Sequence, residues 1–241
     1  MNEFRVDSAG GNVSPIIAAA HELKSPIALV RQLSLMLNSD DDISDSEKKL
    51  MLNQIQLTSE RALRLTSDLT KSSRLEDAMF SLEPINPIEL CKEIAYELKP
   101  LMDMHSKSLK VKERKKHSLL LIGNRDLLRR IVMNFADNAI HYSDENKIIE
   151  MAITSLNKGS TIRLSVRDYG PAMKKDYMDK IRSKLEKSPQ NFGARPQSSG
   201  IGLYVSSKFA EAMNGNIGVL RHRDGATFYV DLHASSQLSI I

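Results

Sequence analysis

Four short stretches of the sequence could do chemistry. The first, HELKSPIALV at residues 21–30, sets a titratable imidazole, His21, beside a carboxylate, Glu22. It reads as part of a helix, yet Pro26 follows five places on, and Ser25 sits one turn after His21 on the same face. The second is NFADNAIHYS (134–143), where Asn134 and Asn138 are four apart and share one helical face. Two amides on a largely apolar helix are costly to bury without partners. They are either a satisfied polar pair or hard oxygen ligands for Mg²⁺ and contacts for phosphate, with His141 and Tyr142 on the next turn. Third, RDYGPA puts Asp168 where a strand leaves its sheet, and Gly170 allows close approach. Fourth, SSGIGL (198–203) places Gly200 and Gly202 at a helix start. Unpaired N–H groups there favour an anion, although the same pattern also serves tight packing.

Something must position these groups. The chain has 241 residues, ample for a real core, with 41% hydrophobic and 27% charged residues. Its one cysteine, Cys91, rules out a disulfide within the chain and fits a reducing compartment. No apolar run reaches the roughly 20 residues of a membrane span, and MNEFRVDSAGG lacks an apolar signal core. The expectation is a cytoplasmic chain, or the cytoplasmic part of something longer. The net charge of +4 would suit DNA, an acidic partner or a polyphosphate. The densest basic run, KVKERKKH at 110–117, has no interleaved aromatic residue. It reads as a solvated loop or strand edge, and no nucleic-acid partner is expected.

The two halves have different periods. Ile16, Ala20, Leu23, Ile27, Val30 and Leu37 form the seam of a coiled-coil helix over 12–38. Ser44 and Glu47 can form a capping box for a second helix running to about Glu76, with Leu52, Ile55, Ala62, Leu65 and Leu69 in its stripe. One hairpin has too little core to stand alone, so two are expected to pair into a four-helix bundle, making a homodimer. After EPINP (83–87) come a helix, a short strand at SLLLIGN, and an amphipathic helix capped by Asn124. Two strands then flank a turn at 157–159, a helix ends at Gly215, and a last hairpin crosses Asp224-Gly225. This is an α+β class: an antiparallel hairpin over 1–82, then a mixed sheet with helices on one face over 83–241. The polar, basic stretch 173–199 reads as a lid.

The order and spacing of these motifs resemble the ATP-binding domain of sensor histidine kinases, within the wider Hsp90, gyrase and MutL nucleotide-binding fold. HELKSP resembles the phospho-acceptor box of the same family, and SRLEDAMFSLEPINPIEL its usual join between the two parts. The resemblance implies ATP-dependent phosphorylation of His21, with Glu22 hydrogen-bonding one ring nitrogen so that the other attacks the γ-phosphate. It further implies Mg²⁺ on Asn138 with Asn134 assisting, and His141 and Tyr142 on the phosphate and ribose side. Asp168 would read adenine, beside Gly170, and Gly200, Gly202 and Leu203 would shape the lid-side phosphate site. The phosphate would pass to an aspartate on the receiver domain of a response regulator. Ser25 keeps a hydroxyl where the family's phosphatase activity uses a polar residue.

Three features depart from the family pattern. The first glycine box reads Asp168-Tyr-Gly170-Pro-Ala172 instead of Asp-x-Gly-x-Gly; Ser198 stands where a glycine usually opens the second box; Phe192 is a weak stand-in for a Phe-rich lid. They motivate a rival reading, a degenerate kinase serving as a dimeric phosphorelay or scaffold. Retention of Asn134, Asn138 and Asp168 together weighs against it. A chaperone- or topoisomerase-type ATPase is disfavoured by the His-bearing hairpin.

Overall fold

The computed structural model describes residues 15–39, 43–73, 81–112, 120–173, 175, 179 and 201–236. Helix α1 (Pro15–Ser39) runs as one element with Pro26 inside it, and α2 (Asp45–Ser73) packs back against it. The expected capping box is present. The Glu47 N–H donates to Ser44 Oγ at 3.3 Å, and the Ser44 N–H donates to Glu47 Oε2 at 3.0 Å. Two otherwise orphaned donors are thereby satisfied at the start of α2.

Strand β1 (Glu83–Ile85) leads into α3 (Pro87–Met104), opened by Asn86, whose Oδ1 accepts from the Ile88 N–H at 3.1 Å, with Pro87 in the first turn. Then follow β2 (Ser108–Lys112), β3 (Leu121–Gly123) and α4 (Arg125–Tyr142). Asn124 caps α4 as expected, accepting from the Leu127 N–H at 3.1 Å. Strands β4 (Ile148–Leu156) and β5 (Thr161–Arg167) join through a tight turn at Asn157–Gly159. Helix α5 (Ile201–Ala212) precedes β6 (Asn216–His222) and β7 (Gly225–His233).

Five strands form one sheet in the order β2-β4-β5-β7-β6, antiparallel except for the β2–β4 pair. β1 and β3 make a separate two-stranded ribbon. The basic run begins on edge strand β2, as a strand-edge reading requires; residues 113–119 lie outside the described residues. Both β1 and β2 escape the sequence reading, because three and five residues carry too little alternation to register.

The sheet buries one face. Ile149, Met151 and Ile153 of β4 alternate with more open neighbours, as do Ile162, Leu164 and Val166 of β5. Against that face lies α4, with nine buried residues, among them Leu128, Ile131, Phe135 and Ile140. Phe135 stacks near Phe228 of β7 with ring centroids 5.9 Å apart. The opposite face is held by polar pairs such as Arg163 with Asp231, both contacts at 2.7 Å. The hairpin also touches this body: α2 packs on α5, and Leu65 joins the edge of the core.

Replacing Asn124 by Ala removes the cap of the helix that organises the core. The expected loss is about 1 kcal/mol in urea unfolding. An unchanged midpoint would mean that the cap contributes nothing here.

Candidate functional site

Helix α4 is amphipathic, and in its second half Asn134, Asp137, Asn138 and His141 fall at i, i+3, i+4 and i+7, one stripe beside the buried face. Each position has a different fate. The Asn134 Nδ2 donates to the Gly202 carbonyl and to Ser206 Oγ, both at 3.3 Å, which ties α4 to the first turns of α5. A Cβ on Gly202 would reach the Asn134 side chain at 3.8 Å, so the two helices approach closely there. Leu203, beside it, is buried in the core. Asn138 is half-buried and makes no side-chain hydrogen bond among the described residues. Its amide oxygen is a hard donor left available, which fits a Mg²⁺ ion shared with phosphate oxygens.

Asp168 directly follows β5 and is 1% exposed. Its Oδ1 accepts from the Ala226 N–H at 2.9 Å, and its own N–H donates to the Ala226 carbonyl at 3.0 Å. Gly225 makes this possible. Its φ is +128°, and a Cβ there would lie 2.5 Å from Asp168 Oδ1. Gly170 meets the other wall: a Cβ would fall 1.9 Å from the Tyr142 carbonyl oxygen. The Tyr169 N–H donates to Ser143 Oγ at 3.2 Å and the Asp144 N–H to the Tyr169 carbonyl at 3.0 Å. The end of β5 is thus stitched to the end of α4. Pro171 and Ala172 are exposed just beyond, so the departure from a second glycine falls outside this close contact.

The structure therefore brings Asn134, Asn138, Tyr142, Asp168, Gly170, Gly202 and Leu203 to one side of the molecule. Gly200, Ser198 and Phe192 lie outside the described residues, as does nearly all of the expected lid. His21 and Glu22 fall in the second turn of α1, with side chains outside the described set, and Ser25 is exposed one turn on.

Charged contacts that the sequence reading missed come from α2. Arg61 Nη1 lies 2.5 Å from His141 Nε2. Arg64 reaches Asp137 Oδ2 and Glu97 Oε1, each at 3.9 Å, and Arg129 also pairs with Glu97. Asp137 Oδ1 is buried with no partner among the described residues. Burial pushes the Asp137 carboxyl up, against the opposing pull of Arg61 and Arg64. Lys107 Nζ donates to the Ser143 carbonyl at 2.7 Å and to the Ile140 carbonyl, a cation at the negative end of α4. The available signals were spacing alone: Asp137 continues the Asn134 stripe, and Arg61 and Arg64 share a face of α2.

His141 keeps part of its surface open to water. Packing around its ring, followed by the charges of Arg61, His105 and Lys107, pushes the imidazole down to about 4. His105 is also lowered, chiefly by burial, then by Lys107 and Arg61.

Residues 123–236 match the family described as Histidine kinase-, DNA gyrase B-, and HSP90-like ATPase. The chain is 26% identical over 223 residues to the hybrid signal transduction histidine kinase K of Dictyostelium discoideum, covering 87% of this chain and 18% of that protein. It is 28% identical over 204 residues to the sensor protein QseC of Escherichia coli K12, covering 83% and 42% respectively. It thus spans less than half the length of these relatives. In fold it is similar to the histidine kinase ThkA in complex with the response regulator protein TrrA, at TM-score 0.57, 17% identity, and coverage of 90% of this chain and 60% of that one. Among the described residues no helix is long and apolar enough to cross a membrane.

The contact of Arg61 with His141 needs a neutral ring to accept the hydrogen bond. The ring's affinity for a proton is lower in the packed state than its ordinary 6.5. The stabilisation from this contact is therefore complete above about pH 6.5 and is lost as pH falls towards 4. An NMR titration of the His141 imidazole should give a midpoint near 4, rising in Arg61→Gln. A midpoint at 6.5 in both proteins would show that the ring is not packed in this way.

Proposed function

We propose, from the premise that residues 123–236 are an ATPase domain of the histidine kinase, DNA gyrase B and HSP90 family set on the chain plan of a sensor histidine kinase, that this protein moves the γ-phosphoryl group of ATP to His21. The phosphoryl group then passes to an aspartate on the receiver domain of a response regulator. The protein acts as a cytoplasmic signalling unit, with a hairpin over 1–82 and a catalytic domain over 83–241.

One observation supports this reading most. On α4 the Asn134 amide braces α5, while the Asn138 amide one turn on has no described partner, in a domain of the ATPase family. A half-buried amide with no protein partner keeps its oxygen open to a ligand, which a scaffold does not require.

Each residue has a role in the chemistry. The buried Asp168 carboxylate, fixed by the Ala226 N–H, accepts from the exocyclic amino group of adenine. Gly202, in the first turn of α5, lets the backbone approach the phosphates, with Gly200 two places before it in the sequence. Asn138 would hold Mg²⁺ through its amide oxygen, and the ion would supply neutralisation of phosphate charge. Glu22 takes a hydrogen bond from one ring nitrogen of His21, leaving the other free to attack. A nitrogen–phosphorus bond forms in line as the bond from phosphorus to the ADP oxygen breaks. Most of the rate comes from positioning and charge neutralisation.

Incubation with γ-labelled ATP and Mg²⁺ should give label on the wild type that is lost in acid, as a phosphoramidate is. His21→Ala should carry none. Asn138→Ala should lose at least about 100-fold in rate, the scale of removing one essential transition-state contact. Acid-stable label, or label on His21→Ala, would contradict this reaction.

The hairpin supports a dimer. Ile27, Leu52 and Leu63 are 60%, 57% and 70% exposed, and Leu52 and Leu63 share one face of α2, eleven residues apart. A second copy of the hairpin would cover this face in a four-helix bundle. Light scattering should give twice the chain mass for the wild type and the single mass for Leu52→Glu with Leu63→Glu. A monomeric wild type would overturn the assembly.

A further inference from the structure

Basic groups from three elements converge beside the last turn of α4. Arg61 comes from α2, His105 from the end of α3, and His141 from α4 itself. The His105 and His141 rings meet edge to face with centroids 6.3 Å apart, and Arg61 lies 2.5 Å from His141 Nε2. Lys107 adds its charge nearby, with its ammonium already committed to the Ile140 carbonyl of α4 and the Ser143 carbonyl just past it.

The two arginines of α2 differ in what they face. Arg64 is matched by the carboxylates of Glu97 and Asp137. Arg61 makes no ion pair within hydrogen-bonding reach among the described residues; its described partner is an imidazole, itself a base, while the buried Asp137 carboxyl feels its charge without touching it. A half-buried guanidinium whose direct partner is another base keeps N–H donors free for an anion. A guanidinium next to an imidazole offers several N–H donors in a small space, the chemistry that recognises phosphoryl oxygens.

Position selects which phosphate. His141 lies three residues after Asn138, one turn along the same helix. The hairpin register supplies the second bearing. α1 ends at Ser39 and α2 begins at Asp45, so equal rise along the two antiparallel helices puts residue 21 about level with residue 63. Arg61 is therefore near the height of His21 on the bundle while touching the nucleotide-binding helix.

We infer that Arg61 is a catalytic residue supplied by the hairpin, which with His141 grips the terminal phosphoryl group of ATP during its transfer to His21. The inference rests on the kinase reading above and adds a residue to it. In the nucleotide-free chain Arg61 donates to His141. With ATP bound, a γ-phosphate oxygen takes the place between them; Arg61 donates to it, and the neutral His141 ring donates as the tautomer that carries its one proton on Nε2. This makes the hairpin part of the nucleotide site, so that a catalytic domain not docked on α2 holds ATP and ADP alike.

The test uses the whole chain with Arg61→Ala and Arg61→Lys, measuring ATP and ADP binding by calorimetry and single-turnover labelling at saturating ATP. Arg61→Ala should bind ATP about tenfold more weakly, the worth of a charge-assisted hydrogen bond. ADP affinity should stay within about twofold, since ADP lacks the gripped group, and labelling should fall about 100-fold. Arg61→Lys should recover part of both losses, because it restores the charge without the fork. Equal weakening of ATP and ADP would reduce Arg61 to a structural contact and overturn the inference. Tighter ATP binding or faster labelling in Arg61→Ala would overturn it too, making the contact an inhibitory clamp. A wild type that binds neither nucleotide would remove the kinase reading itself, an outcome distinguishable from the other two.

Discussion

One helix has to be both core and site. α4 buries nine residues against the sheet and the flanking helices, so its backbone cannot move without disturbing the core. Along its remaining stripe stand Asn134, Asp137, Asn138 and His141, polar groups that are costly to desolvate unless something comes to meet them. The rest of the molecule is arranged around that demand. α5 meets Asn134 through Gly202 and Ser206, α2 meets Asp137 and His141 through two arginines, and Lys107 meets the helix end. Asn138 alone of the four meets no side-chain partner among the described residues, which is why the proposed reading gives it the ligand.

The same economy governs the far wall. A carboxylate as buried as Asp168 needs a fixed donor, and the Ala226 N–H reaches it only because Gly225 has no side chain to intervene. Gly170 plays the matching part against the Tyr142 carbonyl. Two glycines and one carboxylate thereby lock the end of β5 to β7 and to α4. On the proposed reading, a base on Asp168 and phosphates along α4 would share one rigid frame, as preorganised phosphoryl transfer requires.

Much of this was legible in the sequence because it rests on local rules. The capping box at Ser44 and Glu47, the Asn124 cap, the turn at 157–159 and the hairpin at Asp224-Gly225 each depend on residues a few places apart, and each is present. Asn134, Asn138 and Asp168 stood out because amides and a carboxylate in apolar surroundings need a reason. What stayed hidden was non-local. Nothing in α2 announces that Arg61 would meet a histidine 80 positions later. Asp137 was passed over between two conspicuous asparagines, although its burial makes it as demanding as either. The β1 and β2 strands are too short to show a period, and they exist because β3 and β4 offer them edges.

The central claim is that the α4 stripe and the buried Asp168 together form an adenine-nucleotide site. Comparative binding of ATP and GTP to the wild-type chain, by calorimetry in Mg²⁺, tests it most directly. Asp168 can only accept a hydrogen bond when ionised, and adenine offers an amino group where guanine offers a carbonyl. A site that leaves such a buried pair unmatched should reject GTP by at least about 100-fold. Equal affinity for ATP and GTP would mean that Asp168 does not read the base and that the account of this site is wrong.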